Sequence, residues 1–190
     1  MLKKVAIFSS GSGSNAENIV NYFKNHKNIL ITRIYTNKSD ADVVERAQRL
    51  DMSVRIFTKE EFIDSTIILS ELRDEQVDYI ILSGFLMLIP EFIVQSFSQK
   101  IINIHPSLLP KYGGKGMYGM NVHKAVVCNQ ETESGITIHY IDQEYDRGET
   151  ILQVKCPVYA NDTPESLASR IQQLEFEYFP KTIEKVNSNS

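Results

Sequence analysis

Residues 101–110 have the sequence IINIHPSLLP, and the rest of the chain is predicted to be organised around this stretch. It begins with β-branched apolar residues, which favour a buried strand, and ends at a proline, which lacks the amide hydrogen that a central strand needs. Residues two apart in a strand share a face, so Asn103 and His105 are predicted to project together at its carboxyl end. Open α/β sheets bind ligands at that end. A structural histidine beside a turn asparagine is the alternative, and these residues alone do not separate the two.

The composition is typical of one globular domain. The chain has 190 residues, of which 42% are hydrophobic and 23% are charged, enough to bury a full core. Its net charge of −4 gives no general attraction to nucleic acid or to an anionic membrane, and no apolar run approaches the roughly 18 residues of a membrane span. The two cysteines, Cys128 and Cys156, form neither a disulfide framework nor a metal-ligand spacing. We therefore expect a cytoplasmic protein without nucleic-acid or membrane partners.

Apolar runs that favour strands alternate with segments of helical period up to about residue 105. This alternation predicts a Rossmann-like, doubly wound, mostly parallel α/β sheet with helices on both faces. Strands are predicted at residues 4–8, 29–35, 54–57, 79–82, 101–105, 135–141 and 150–154. Helices are predicted at 41–50, 62–77, 91–97 and 121–128, from about Ala16 with Asn15 as its cap, and from Thr163 onwards.

A glycine-rich loop, GSGSNA at residues 11–16, links the first predicted strand to the first helix. It fits the loose dinucleotide pattern, in which glycines and a helix N-terminus hold phosphate. A dinucleotide site also needs an acid at the end of the second strand, where this chain has Thr36-Asn37-Lys38. We therefore expect a single phosphate group rather than NAD, with Ser12, Ser14 and Asn15 as further donors. A capping turn without a ligand is the alternative.

His105 also fits general acid–base chemistry, because a histidine transfers protons near neutral pH. A nearby carboxylate would orient its ring and stabilise its charged form, and the amide of Asn103 could donate to a developing oxyanion. The downstream acidic loop offers Asp142, Glu144 and Asp146 as that carboxylate. The residues alone do not choose among the three.

A metal centre is a weaker interpretation of the same region. Its ligands would be His105, His123, His139 and Asp146. No two of these histidines have a tight ligand spacing such as i, i+4 on one helix. We therefore expect no metal.

Together these motifs resemble those of the phosphoribosylglycinamide formyltransferase family of purine biosynthesis. The matching segments are SGSGSN at 10–15, SGF at 83–85, INIHPSLLP at 102–110, ESGITIHY at 133–140, DxxxDxG at 142–148 and QQLE at 172–175. They occur in order and cover nearly the whole chain. The chain also resembles methionyl-tRNA formyltransferase and formyltetrahydrofolate deformylase, each with an additional domain for which we expect no room in 190 residues.

The resemblance implies that 10-formyltetrahydrofolate, a co-substrate, donates its formyl group to the amine of glycinamide ribonucleotide without a metal. In the implied mechanism Asn103 and protonated His105 stabilise the tetrahedral oxyanion, and Asp146 holds His105 in its charged form. The resemblance alone thus selects Asp146 among the three carboxylates. A formyltetrahydrofolate hydrolase and a non-catalytic nucleotide-binding domain are the alternatives.

The resemblance also implies binding residues within one domain, residues 1–190. The ribonucleotide would contact Gly13, Ser14, Asn15, Gln172 and Glu175. The folate would contact Leu86, Met87, Leu88, Ile89, Asn103, Tyr140, Ile141 and Asp142. Residues 1–100 would form the phosphate-binding half, 101–186 the catalytic and folate-binding half, and 187–190 a polar tail. Two departures concern the folate's glutamate tail: many members carry an arginine where Met87 stands, and residues 64–66 lack the arginine often placed there near the folate. The expected assembly is a monomer or homodimer.

Overall fold

A computed structural model of the protein describes residues 2–63, 66–142, 146 and 148–188. Seven strands in this part of the chain form one sheet in the order β3-β2-β1-β4-β5-β6-β7. The strands are β1 (Lys3–Phe8), β2 (Ile29–Thr36), β3 (Val54–Ile56), β4 (Tyr79–Leu82), β5 (Ile101–His105), β6 (Glu133–Tyr140) and β7 (Thr150–Pro157). The helices are α1 (Ser14–Phe23), α2 (Asp42–Arg49), α3 (Lys59–Ile63), α4 (Ile67–Asp74), α5 (Glu91–Ser96), α6 (Met120–Cys128) and α7 (Pro164–Ser188).

The first five strands are parallel, whereas β6 runs antiparallel to both β5 and β7. The chain builds outward from β1 through β2 to β3, and then returns to the other side of β1 with β4. The strand order therefore reverses between β1 and β4, which is where a doubly wound sheet opens a crevice for ligands. The predicted doubly wound, mostly parallel sheet is confirmed.

Two apolar clusters cover the two faces of the sheet, because alternate residues of a strand point to opposite sides. In β1, Val5 and Ile7 belong to the cluster formed with α1, α6 and α7. Ala6 and Phe8 belong to the cluster formed with α4 and α5. Such burial on both faces explains why the central strands are continuous apolar runs.

Three predicted boundaries are wrong. Asn15 does not cap α1, because the helix begins at Ser14 and its N-cap residue is Gly13, in the left-handed conformation. The helix predicted at 62–77 is replaced by α3 and α4, with residues 64 and 65 outside the described part of the chain. The predicted tail overlaps α7, where Asn187 is buried and its side-chain amide donates to the carbonyl of Ile183.

Candidate active site

One cavity of about 720 Å³ opens at the carboxyl ends of β1, β4 and β5. Its wall is formed by the loop after β1, the loop after β4, the end of β5, the loop before α6 and the middle of α7. The predicted catalytic residues Asn103, His105 and Asp146 all line it. So do the five predicted ribonucleotide residues, which are Gly13, Ser14, Asn15, Gln172 and Glu175. Residues from distant parts of the sequence therefore meet in one space large enough for a small organic ligand.

The glycine-rich loop forms one end of this cavity. Gly13 has a φ of 73°, and a Cβ atom there would lie 2.5 Å from Cγ2 of Val43 in α2. Only glycine fits both the backbone conformation and this close approach. α1 therefore begins against the cavity wall, and the first amides of a helix have no intrahelical acceptor. These amides and the positive end of the helix dipole are suited to an anion.

Helix α7 braces the same end of the cavity. The side-chain amide of Asn15 donates to Oε2 of Glu175 at 2.7 Å, and that of Gln172 donates to Oγ of Ser14 at 3.3 Å. Burial raises the pKa of Glu175 to about 7, against the opposing effect of the hydrogen bond from Asn15. The carboxyl is therefore partly protonated at neutral pH and can either donate or accept a hydrogen bond.

His105 is buried at the end of β5 and contacts one group through each ring nitrogen. Its Nε2 lies 2.7 Å from the carbonyl oxygen of Tyr112, and its Nδ1 lies 3.6 Å from Oδ2 of Asp146. The same Asp146 oxygen accepts a hydrogen bond of 2.8 Å from the amide of Gly114. Asp146 is thus the acidic-loop carboxylate beside His105. Asp142 does not line the cavity, and Glu144 is outside the described residues.

Asn103 is oriented by a histidine on the neighbouring strand. Its side-chain amide donates to Nε2 of His139, its cross-strand partner, at 3.1 Å. The Nδ1 atom of His139 lies 2.9 Å from the carbonyl oxygen of Tyr140 and therefore carries the proton. Burial lowers the pKa of His139, which keeps the ring neutral and its Nε2 free to accept. The Asn103 amide is held in one orientation as a result.

The loop after β4 forms the apolar side of the cavity. The four predicted folate residues Leu86, Met87, Leu88 and Ile89 line it, together with Ile141. Leu86 and Leu88 are more than 40% exposed, so the loop presents apolar surface to the opening. Tyr140 and Asp142 do not line the cavity, so the structure does not place these two predicted folate residues there.

Two contacts hold this loop in place. The Phe85 ring packs edge-on against Phe8 and Phe62 of the core, at centroid distances of 5.4 and 5.5 Å. The hydroxyl of Ser10 accepts a hydrogen bond from the amide of Leu86 and donates one to Oδ1 of Asn37. The apolar loop and the glycine-rich loop are therefore fixed to each other through Ser10.

Sequence reasoning missed the roles of His139 and Tyr112. His139 was considered only as a metal ligand, although Thr137 and His139 alternate along a strand in a way that places both on one face. Tyr112 contacts His105 through its backbone carbonyl, which leaves no signal in the sequence. Within the described residues, no group of three or more His, Cys, Asp or Glu side chains is arranged to hold a metal ion. No helix there has the length and apolar character needed to cross a membrane.

The strand order and the position of the cavity assign the protein to the doubly wound α/β class. Within that class the chain belongs to the formyl transferase family, whose profile matches residues 3–183. A phosphoribosylglycinamide formyltransferase of Bacillus subtilis is 33% identical over 97% of this chain and 95% of the relative. The crystal structure of phosphoribosylglycinamide formyltransferase from Anaplasma phagocytophilum, 33% identical, superposes with a TM-score of 0.88 over 98% of this chain and 87% of that one.

A chloroplastic phosphoribosylglycinamide formyltransferase of Vigna unguiculata is 40% identical over 96% of this chain. The chain spans 60% of the length of that plant protein. The family resemblance inferred from the sequence motifs is confirmed.

Proposed function

We propose that the protein transfers the formyl group of 10-formyltetrahydrofolate to the amine of 5′-phosphoribosylglycinamide, a step of purine biosynthesis. The observation that carries this proposal is that Asn103, His105 and Asp146 share one cavity with an anion-binding helix N-terminus. A reaction between a phosphorylated amine and a flat, partly apolar formyl donor needs these features in one place. The relatives named phosphoribosylglycinamide formyltransferases support formyl transfer to this acceptor.

The two substrates bind at different parts of the cavity in this proposal. The ribonucleotide phosphate binds the start of α1 through Gly13, Ser14 and Asn15, while Gln172 and Glu175 contact the same substrate. The folate binds along Leu86, Met87, Leu88, Ile89 and Ile141. Residues 1–100 then supply most of the phosphate site, and residues 101–186 supply the catalytic groups. Tyr140 and Asp142 do not line the cavity, so in this proposal the folate contacts them beyond the cavity wall.

In the chemical step the amine nitrogen attacks the formyl carbon, and the carbonyl oxygen becomes an oxyanion. The amide of Asn103 and the protonated ring of His105 stabilise that oxyanion. Asp146, close to Nδ1 of His105, stabilises the imidazolium form. The bond from the formyl carbon to the folate nitrogen then breaks, and a proton lost by the attacking amine is delivered to that nitrogen. The residues supply this chemistry without a metal.

The test is a formyl-transfer assay on the purified chain with both substrates, in which formylated ribonucleotide and tetrahydrofolate are measured. We expect both products in equal amounts, and only when both substrates are present. Folate turnover without the ribonucleotide would indicate a formyltetrahydrofolate hydrolase. Binding of the ribonucleotide without any turnover would indicate a non-catalytic domain.

We also infer the compartment and the assembly of the protein. We infer a cytoplasmic location from the composition, whereas the relative from Vigna unguiculata is named chloroplastic. A monomer or homodimer is the expected assembly, which sedimentation equilibrium of the purified chain would determine.

A further inference from the structure

The backbone carbonyl of Tyr112 accepts a hydrogen bond of 2.7 Å from Nε2 of His105. A carbonyl oxygen cannot donate, so Nε2 must carry a proton whether the ring is neutral or charged. The remaining nitrogen, Nδ1, lies 3.6 Å from Asp146, beyond a direct hydrogen bond. Nδ1 is therefore the nitrogen that can gain and release a proton. Among the described residues, His139 and His123 also interact electrostatically with His105.

The backbone of Tyr112 adopts a conformation that its own side chain disfavours. Its φ is 56°, in the left-handed region, where a residue other than glycine costs of order 1 kcal/mol or more. Asp146, which contacts the other nitrogen of His105, has the same φ of 56°. Strained backbone of this kind persists only where surrounding contacts determine it. The contacts that hold Tyr112 therefore also fix the position of its backbone carbonyl.

Those contacts are made by the phenol ring. The Tyr112 hydroxyl donates to Oε1 of Glu131 at 2.8 Å and accepts from the side-chain amide of Asn129 at 2.9 Å. Lys111 also binds both carboxylate oxygens of Glu131. These hydrogen bonds lower the pKa of Glu131, so it remains an ionised acceptor. The ring is thus tied through its hydroxyl to the segment after α6.

We propose that Tyr112 is a positioning residue. Its ring, hydrogen-bonded to Glu131 and Asn129, holds its backbone carbonyl against Nε2 of His105. Nδ1 is thereby left as the ring nitrogen that can gain and release a proton. This inference rests on the proposed function and refines it, because it names the ring nitrogen of His105 that carries the second proton of the imidazolium form. Tyr112 does not touch the substrate in this arrangement. Its effect should therefore appear in turnover and not in substrate affinity.

The test compares Tyr112→Phe with Tyr22→Phe, a matched control that removes a tyrosine–glutamate hydrogen bond of 2.6 Å between Tyr22 and Glu184, away from the cavity. We expect Tyr112→Phe to lower kcat roughly tenfold, the effect of losing one hydrogen bond to an ionised group. Both KM values should stay within about twofold. The control should match the unmodified protein in kcat.

Nitrogen-15 NMR of His105 supplies a readout that does not depend on activity. The neutral ring should be the Nε2–H tautomer in the unmodified protein and a mixture of tautomers in Tyr112→Phe. An unchanged kcat, or a lowered kcat with an unchanged tautomer, would overturn the proposal. If Tyr112→Phe does not fold, Asn129→Ala takes its place with the same expectations. If the protein lacks formyl-transfer activity, the proposed function fails, and the tautomer measurement still decides the role of Tyr112 in setting the ring.

Discussion

The side-chain amide of Asn15 donates a 2.7 Å hydrogen bond to Oε2 of Glu175, a residue 160 positions further along the chain. The bond joins the first turn of α1 to the middle of α7 at one end of the cavity. It does not offset the burial of Glu175, whose pKa is raised to about 7. The anion-binding end of the site therefore contains a carboxyl group that titrates near neutral pH.

Glu175 should make the stability of the ligand-free protein fall as pH rises. Below pH 4.5 the carboxyl is protonated in both the folded and the unfolded chain, so it has no effect. Between 4.5 and about 7 the unfolded chain loses the proton first and is stabilised by that loss. The full shift corresponds to roughly 3 kcal/mol, which we discount to about 1–2 kcal/mol because the side chain lines an open cavity.

Urea unfolding of Glu175→Gln, which retains an acceptor for Asn15, would measure this effect. The variant should equal the unmodified protein in stability near pH 4 and exceed it by about 1–2 kcal/mol near pH 8. A difference in stability that does not depend on pH would contradict the raised pKa.

Asn15→Ala should weaken ribonucleotide binding roughly tenfold, because it removes a donor at the phosphate end and releases Glu175. Asn18→Ala is the matched control, since Asn18 also joins α1 to α7, through a 2.9 Å hydrogen bond to the carbonyl of Phe176. The affinity of Asn18→Ala for the ribonucleotide should equal that of the unmodified protein. Calorimetric titration with glycinamide ribonucleotide measures both, and equal affinities for the two variants would count against a phosphate site at the start of α1.

Gly13→Ala should lower the free energy of unfolding by about 2–4 kcal/mol. It forces an alanine into a left-handed backbone and brings its Cβ atom to 2.5 Å from Val43. Gly11→Ala is the control in the same loop, because a Cβ atom at Gly11 has no neighbour within 4 Å. Chemical denaturation of the two variants gives the comparison. Similar stabilities would mean that the loop relaxes around the added methyl group.

His105→Ala and Asp146→Asn should each lower kcat at least about 100-fold, the usual scale for losing a proton-transfer group or its partner. His26→Ala is the histidine control, since His26 contacts Glu184 at 3.1 Å and does not line the cavity. Steady-state formyl-transfer assays of the three variants test this expectation. Retention of activity by His105→Ala would favour a non-catalytic binding domain.

Much of the fold could be predicted from local patterns. Continuous apolar runs such as Tyr79–Leu82 mark strands that are buried on both faces, and the periodic segments between them mark helices. Helix ends were less predictable. Asn15 is a good capping residue by type, but packing against Val43 places Gly13 at that position and leaves Asn15 to bind Glu175.

Local sequence patterns were enough to predict the class of fold, the shared face of Asn103 and His105, and the family. These follow from strand periodicity and from motifs that are contiguous in the chain. The groups that meet the two ring nitrogens of His105 became known from the folded chain, because they come from separate loops. The backbone carbonyl of Tyr112 meets Nε2, and the carboxylate of Asp146, in the loop after β6, lies near Nδ1. The spacing of these residues in the sequence predicts neither contact. The pairing of β5 with β6, which brings His139 to Asn103, is likewise a long-range register set by packing.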